Sequence, residues 1–175
     1  MRRALFYIFK ALAIFSRVLR NRSIYMTLLR RAHTSNGVQF EGIPRFIHPN
    51  VVLDATDDLI LGENIVISTG VLILTHDYSY TTGLIALNEK PETDIAFIGK
   101  VHIGKDCFIG ANSIILPGTT IGSNVIVGAG SVVKGIIGNY SIVAGNPAKS
   151  IADIRLWAEK KKSSLDGSNI LIDKR

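Results

Sequence analysis

Of the four histidines in the chain, His76 is set apart by its surroundings. It stands in a Thr75-His76-Asp77 run just before residues 79–96 (SYTTGLIALNEKPETDIA), a stretch that fits no regular pattern. Long irregular segments inside compact domains are often functional. A histidine at the edge of one reads as a catalytic candidate rather than as a turn residue without a role. An orienting carboxylate would fix its tautomer, and the candidates are Asp77, Asp94 and Asp58. Glu89 and Glu92, on the irregular stretch itself, read as solvated. His33, His48 and His102 show no metal-ligand spacing, so no metal site is expected. Cys107 is the one cysteine, which rules out an internal disulfide, and it reads as buried and inert.

The element that must position these residues shows itself as a period of six. Phe97, Ile103, Ile109, Ile115, Ile121, Val127 and Val133 are all large and apolar. The next residue is Gly at 104, 110, 122 and 128, with Ile98, Leu116 and Lys134 as exceptions. Four positions after each apolar residue come Val101, Cys107, Ser113, Thr119, Val125, Ser131 and Ile137, mostly small or β-branched. The register runs back through Leu61, Ile67 and Ile73, with Ile65 and Val71 in the small slots. Each unit of six is one short strand and one tight turn, with the large residue inward and stacked on its equivalent in the next coil. Three units close a triangular coil of about 18 residues, so the expected fold is mainly β, a left-handed parallel β-helix. In this register Asp77 falls in an inward small slot, unless it caps its own turn, and Asp58 lies one coil below His76 if nothing is inserted between them.

The flanks differ from the repeat. Residues 1–33 read as a basic amphipathic helical segment, 34–149 as the β-helix with an excursion loop at 79–96, and 150–175 as a short helix and polar tail. Arg3, Lys10, Arg17 and Arg20 fall near one helical stripe, and the rest of the helix surface is apolar. Two readings stand: residues 1–31 contact an anionic membrane surface, or the helix packs on the main domain and shows its charged stripe to water. The chain carries a net charge of +6, and no basic-aromatic pattern of the nucleic-acid-binding kind appears. The segment Ala4–Phe15 is too short and too charged to span a bilayer and lacks a cleavage site. A cytoplasmic protein is expected.

These features resemble the hexapeptide-repeat acyltransferases, within them the sugar O-acetyltransferases. The resemblance rests on Thr75-His76-Asp77 before the loop, Ile109-Gly110-Ala111-Asn112, Ile115-Leu116-Pro117-Gly118, Val127-Gly128-Ala129-Gly130 and Gly145-Asn146-Pro147-Ala148-Lys149. Phe108 stands where the family commonly has Trp, and Val133-Lys134-Gly135-Ile136-Ile137 replaces a Thr-Lys-Asp-Ile-Pro run. The resemblance implies transfer of an acetyl group from acetyl-CoA to a hydroxyl of a sugar or surface-polysaccharide precursor, with His76 as general base. It implies coenzyme A contacts at Ala111 and Ala129, at Lys134 and Lys149 toward its phosphates, and at Gly145, Asn146 and Pro147. It also implies a homotrimer with the site between subunits. N-acetylation of an amino sugar, O-acetylation of serine and a non-catalytic β-helix scaffold remain open as alternatives.

Overall fold

The computed structural model describes residues 2–18, 21–54 and 58–164. Within them the repeat forms three parallel sheets, one on each face of a coil. The first face stacks Gln39–Phe40, Leu59–Leu61, Val101–Ile103, Thr120–Ile121 and Ile136–Ile137. The second stacks Phe46–Ile47, Val66–Ile67, Phe108–Ile109, Ile126–Val127 and Ser141–Gly145. The third stacks Val52–Leu53, Leu72–Ile73, Ile114–Ile115 and Val132–Val133. Ile67, Ile73, Ile103, Ile109, Ile115, Ile121, Val127 and Val133 are fully buried, as are Val101, Cys107, Ser113, Thr119, Val125 and Ser131 in the small slots. Each large aliphatic so enclosed contributes roughly 1.5–3 kcal/mol. The polar small-slot residues are satisfied across the coils: Ser113 Oγ donates to the Gly128 carbonyl at 2.9 Å.

Corners explain the glycines. A Cβ on Gly110 would lie 2.5 Å from the backbone nitrogen of Ala129, and one on Gly62 would lie 2.5 Å from the Gly104 carbonyl carbon. Where the turn needs left-handed backbone instead, Asn64, Asp106 and Asn124 supply it in successive coils, each at φ 58°. Asn64 Nδ2 donates to Asp106 Oδ1 at 2.6 Å, tying two coils together.

Four expectations are corrected. Phe97 is exposed, because it lies in the stem of the excursion, ahead of the point where the chain rejoins the coil. Ile137 takes a large slot opposite Ile121, not a small one, since the last coil is two residues shorter than its predecessor. The excursion is not all loop: α3 spans Ser79–Ala86. At the C-terminal end, Ala148–Asp153 forms a strand antiparallel to Ser141–Gly145 across a cis Asn146–Pro147 bond, so the helix α4 begins at Ile154. Most of the polar tail, 165–175, lies outside the described residues.

The N-terminal segment is two helices, α1 (Arg2–Val18) and α2 (Arg22–Ser35), packed antiparallel so that the Phe6 ring meets His33 at 5.4 Å. The Asn21 side chain caps α2 by accepting the Ile24 N–H at 3.0 Å. Helix α2 closes the N-terminal end of the coil: Tyr25, Met26 and Leu29 join the core, and Tyr25 Oη donates to the Ile47 carbonyl at 2.7 Å. No helix among the described residues is long and apolar enough to cross a membrane. Of the charged stripe, Arg3 is exposed to water. Lys10 sits half-buried over the Phe6 ring, and the outward face of α1 is apolar. The side chains of Arg17 and Arg20, the other half of the stripe, lie outside the described residues.

His33 is buried between these helices with neither ring nitrogen hydrogen-bonded. Burial, helped by the nearby Lys10 charge, pushes its pKa down to about 4. The unfolded chain takes up this proton near pH 6.5 and the folded one only near 4, so acid favours unfolding across that window. Stability should fall by roughly 3 kcal/mol between those limits. Thermal unfolding at pH 7 and pH 4.5 checks this: the drop in melting temperature should shrink in His33→Phe, and an equal drop in both proteins would rule it out.

Candidate active site

The excursion leaves the coil after Thr75 and returns at Gly99, whose N–H donates to the Thr75 carbonyl at 2.8 Å. Between these points His76 and Asp77 pair antiparallel with Ile98 and Phe97, making a two-stranded stem. A Cβ on Gly99 would lie 2.4 Å from the Gly118 nitrogen, so the stem is pressed against the turn of the next coil. Thr81 Oγ1 accepts the Ile95 N–H at 2.7 Å and ties α3 to the returning chain. His76 is therefore held by backbone on both sides.

Its ring points back toward the coil below. His76 Nδ1 lies 2.6 Å from Asp54 Oδ2, and Asp54 is nearly enclosed. The ring N–H is not aimed at that oxygen, a misalignment common in catalytic pairs before substrate binds. The Thr75 N–H donates to the same oxygen at 2.9 Å and anchors the carboxylate. With Nδ1 turned toward Asp54, Nε2 is the nitrogen left for a substrate, and the side chain is 34% exposed. An edge-on contact with Tyr78, rings 5.7 Å apart, braces the imidazole.

Asp54 replaces all three carboxylates suggested by the sequence. Asp77 faces out of the coil and caps its own turn, accepting the Ser79 N–H at 2.9 Å. Hydrogen bonds from the Ser79 hydroxyl and N–H hold its carboxyl below the usual range, with Lys134 and His76 adding to the effect. Asp94 is exposed on the far limb of the excursion, and among the described residues the ion pair to His76 comes from Asp54 rather than Asp58. The lowest coil explains the miss. Val52 and Leu53 pair with Leu72 and Ile73, a step of 20 rather than 18, so Asp54 underlies Leu74. A signal did exist. The residues after the large slot on the third face are Asp54, Leu74, Leu116 and Lys134, whereas that corner is glycine at most steps of the other two faces. The corner after the third face is thus the one of the three without a glycine at this position among the described residues, and it bears the excursion.

An open cleft of about 290 Å³ adjoins His76, lined by Asp77, Ser79, Tyr80, Phe97, Leu116, Pro117 and Lys134. The remaining candidates gather elsewhere. Ala111 and Ala129 stack at the corner between the second and third faces, where the Gly130 N–H donates to the Ala111 carbonyl at 2.8 Å. Gly145 follows in the same column, because Val143 pairs with Val127. Asn146 and Pro147 continue it as an exposed turn, and Lys149 is exposed on the last strand beside Ala144. The structure thus splits the set between two edges: His76, Asp54 and Lys134 on one, Ala111, Ala129 and Gly145–Pro147 on the other. Cys107 lies inside, its Sγ 3.0 Å from the Gly122 carbonyl, and burial pushes its thiol up to about 11. Among the described residues no three His, Cys, Asp or Glu side chains gather into a metal-binding group.

A profile of the family described as "Hexapeptide repeat of succinyl-transferase" matches residues 100–134. A chloramphenicol acetyltransferase of Escherichia coli is 30% identical over 150 residues, covering 79% of this chain and 67% of that protein. The chain belongs to the hexapeptide-repeat acetyltransferase family. A putative lipopolysaccharide biosynthesis O-acetyl transferase of Escherichia coli K12, WbbJ, is 30% identical over 118 residues, or 63% of this chain and 60% of that one. The chain spans about 60% of the length of the first curated relatives it matches. Among solved structures, a hexapeptide-repeat acetyltransferase of Vibrio cholerae complexed with acetyl-CoA shares the fold, with a TM-score of 0.58 at 18% identity over 87% of each chain.

Proposed function

We propose that this hexapeptide-repeat protein transfers an acetyl group from acetyl-CoA to a hydroxyl of a sugar or surface-polysaccharide precursor. The observation that carries the reading is the His76–Asp54 contact beside an open cleft whose lining begins at the next residue, Asp77. A sugar hydroxyl is a poor nucleophile at neutral pH. Asp54 holds Nδ1, leaving Nε2 to take the hydroxyl proton as the oxygen attacks. Bound acetyl-CoA supplies the thioester. The residues present suit it: small side chains at Ala111 and Ala129 leave the backbone approachable, and the Lys134 and Lys149 ammonium groups match phosphates. No covalent enzyme intermediate is required, and buried Cys107 is not placed to form one.

The test is acceptor-dependent thiol release from acetyl-CoA across sugars, nucleotide-sugars, amino sugars, serine and chloramphenicol, the last being the acceptor named for a relative of which the chain covers 67%. Release with a hydroxyl sugar supports the reading. Release only with amines moves the chemistry to nitrogen, and none with any acceptor removes the transferase reading. Asp54 has its own test as a positioning residue. Asp54→Asn should lower kcat by about ten-fold or more, though by less than loss of the imidazole itself, with little change in KM for acetyl-CoA. A KM effect alone would assign Asp54 to binding.

We also propose a homotrimer. The outer side of the second face shows Phe46, Val66, Phe108 and Ile126, and that of the third shows Val52, Leu72, Ile114 and Val132. Two different apolar faces on one chain suit a closed ring in which one face meets the other on a neighbour. Such a ring would bring the His76 edge of one subunit toward the Ala129 edge of the next. Sedimentation equilibrium should return three times the 19.1 kDa chain mass; a monomer at micromolar concentration would refute it. The reaction is placed in the cytoplasm, at the inner membrane face.

A further inference from the structure

Helix α1 turns the usual amphipathic arrangement over. Ser16 and Ala13 are buried on its inner side, where Phe6 also meets His33 of α2. Its outward face carries Leu5, Ile8, Leu12 and Phe15, spaced three, four and three, which is one stripe of a helix. These four are 39–62% exposed, and Tyr7 and Ile14 widen the stripe with 67% and 46%. A surface helix normally presents polar residues outward, and a contiguous apolar face of this kind marks an interaction site.

The charges say what covers it. Residues 1–35 hold eight Lys or Arg and no Asp or Glu, while the rest of the chain holds twelve basic and fourteen acidic residues. The net positive charge of the protein is therefore all in residues 1–35. Arg2 and Arg3 are exposed at the start of α1, and Arg31 is exposed on α2. Half-buried Lys10 lies at the margin of the stripe, over Phe6. An apolar face bordered by long basic side chains fits the boundary between acyl chains and anionic headgroups, where the charged ends reach up to phosphate. A protein partner with a mainly apolar groove would leave these cations unmatched. A second copy of the same hairpin would set like charges against like.

We infer that the outward face of α1 is a docking surface for an anionic lipid bilayer, lying flat in the interface with Leu5, Ile8, Leu12 and Phe15 inserted. Helix α2, which closes the coil, is the rigid mount that fixes the β-helix relative to the bilayer. The inference stands apart from the transferase reading, since it uses none of the residues of the cleft.

The experiment is co-sedimentation of the full chain with vesicles of phosphatidylcholine alone and of phosphatidylcholine with a quarter phosphatidylglycerol, at low and raised salt. The wild type should bind the anionic vesicles and not the neutral ones, and release as salt rises. Ile8→Asp/Phe15→Asp should reduce binding at least ten-fold. Arg3→Gln/Arg31→Gln should weaken binding to anionic vesicles and flatten its salt dependence. Both pairs are exposed, so circular dichroism and sedimentation mass should not change. Wild-type indifference to anionic vesicles would overturn the inference. So would a loss of oligomer mass in Ile8→Asp/Phe15→Asp, which would make the face a contact between copies.

Discussion

Replacing His76 with alanine should cut acceptor-dependent release of coenzyme A by about 10²- to 10⁴-fold, the range a general base contributes. The loss should appear in kcat, because the imidazole acts on the hydroxyl as it attacks and not on bound acetyl-CoA. Thermal stability should hold. His76 is 34% exposed, outside the stacked core, and the stem is kept by the Gly99–Thr75 bond and the pairing of residues 76–77 with 97–98. Removing the ring does leave the Asp54 carboxylate with one partner fewer, but the Thr75 N–H still holds it. A His76→Ala protein that folds, binds coenzyme A and keeps full turnover would show that the base lies elsewhere. The Asp54 contact would then be structural.

Gly110→Ala should destabilise the protein far more than a single methyl group suggests. The new Cβ would meet Ala129 nitrogen at 2.5 Å and the Val127 carbonyl oxygen at 2.7 Å. Both are backbone atoms of the next coil, in the Ile126–Val127 strand and the turn after it, so relief requires prising two coils apart. Overpacking of this kind costs about 1–3 kcal/mol, and more where backbone must move; the expected drop in melting temperature is about 5 °C or more. Gly83→Ala is the matched control. It lies in α3, with nothing within 4 Å of the added carbon, and helix propensity favours the change. Equal melting temperatures for the two variants would mean that the coils yield more easily than their spacing implies.

Both predictions draw on parts of the molecule that the sequence revealed unequally. Ile103 through Val133 were legible because every inward position in that stretch meets the same surroundings, so the same residue types recur at the same step. Phe97 broke the rule without breaking the pattern: it is apolar and correctly spaced, yet it belongs to the stem. Asp54 was hidden by coil length. A step of 18 from His76 lands on Asp58, and only the observed pairing of Leu53 with Ile73 shows that the lower coil is 20 long. The faces of α1 were legible as faces, but periodicity does not say which one meets protein. That depends on α2, whose own apolar residues are committed to the end of the coil. Lys134 and Ala129 were both identifiable from the repeat; that they lie on different edges follows from which faces flank each turn.

The stem at His76–Asp77 and Phe97–Ile98 has an evolutionary consequence. The coil closes beneath it, through Thr75 and Gly99, whatever lies between residues 78 and 96. The Val66–Phe108 and Leu72–Ile114 pairs keep their places although the chain between them has been lengthened. Insertion there is decoupled from the core, so the segment can lengthen, shorten or change composition while the histidine keeps its position. The excursion can thus be exchanged as one cassette while the His76–Asp54 contact keeps its place.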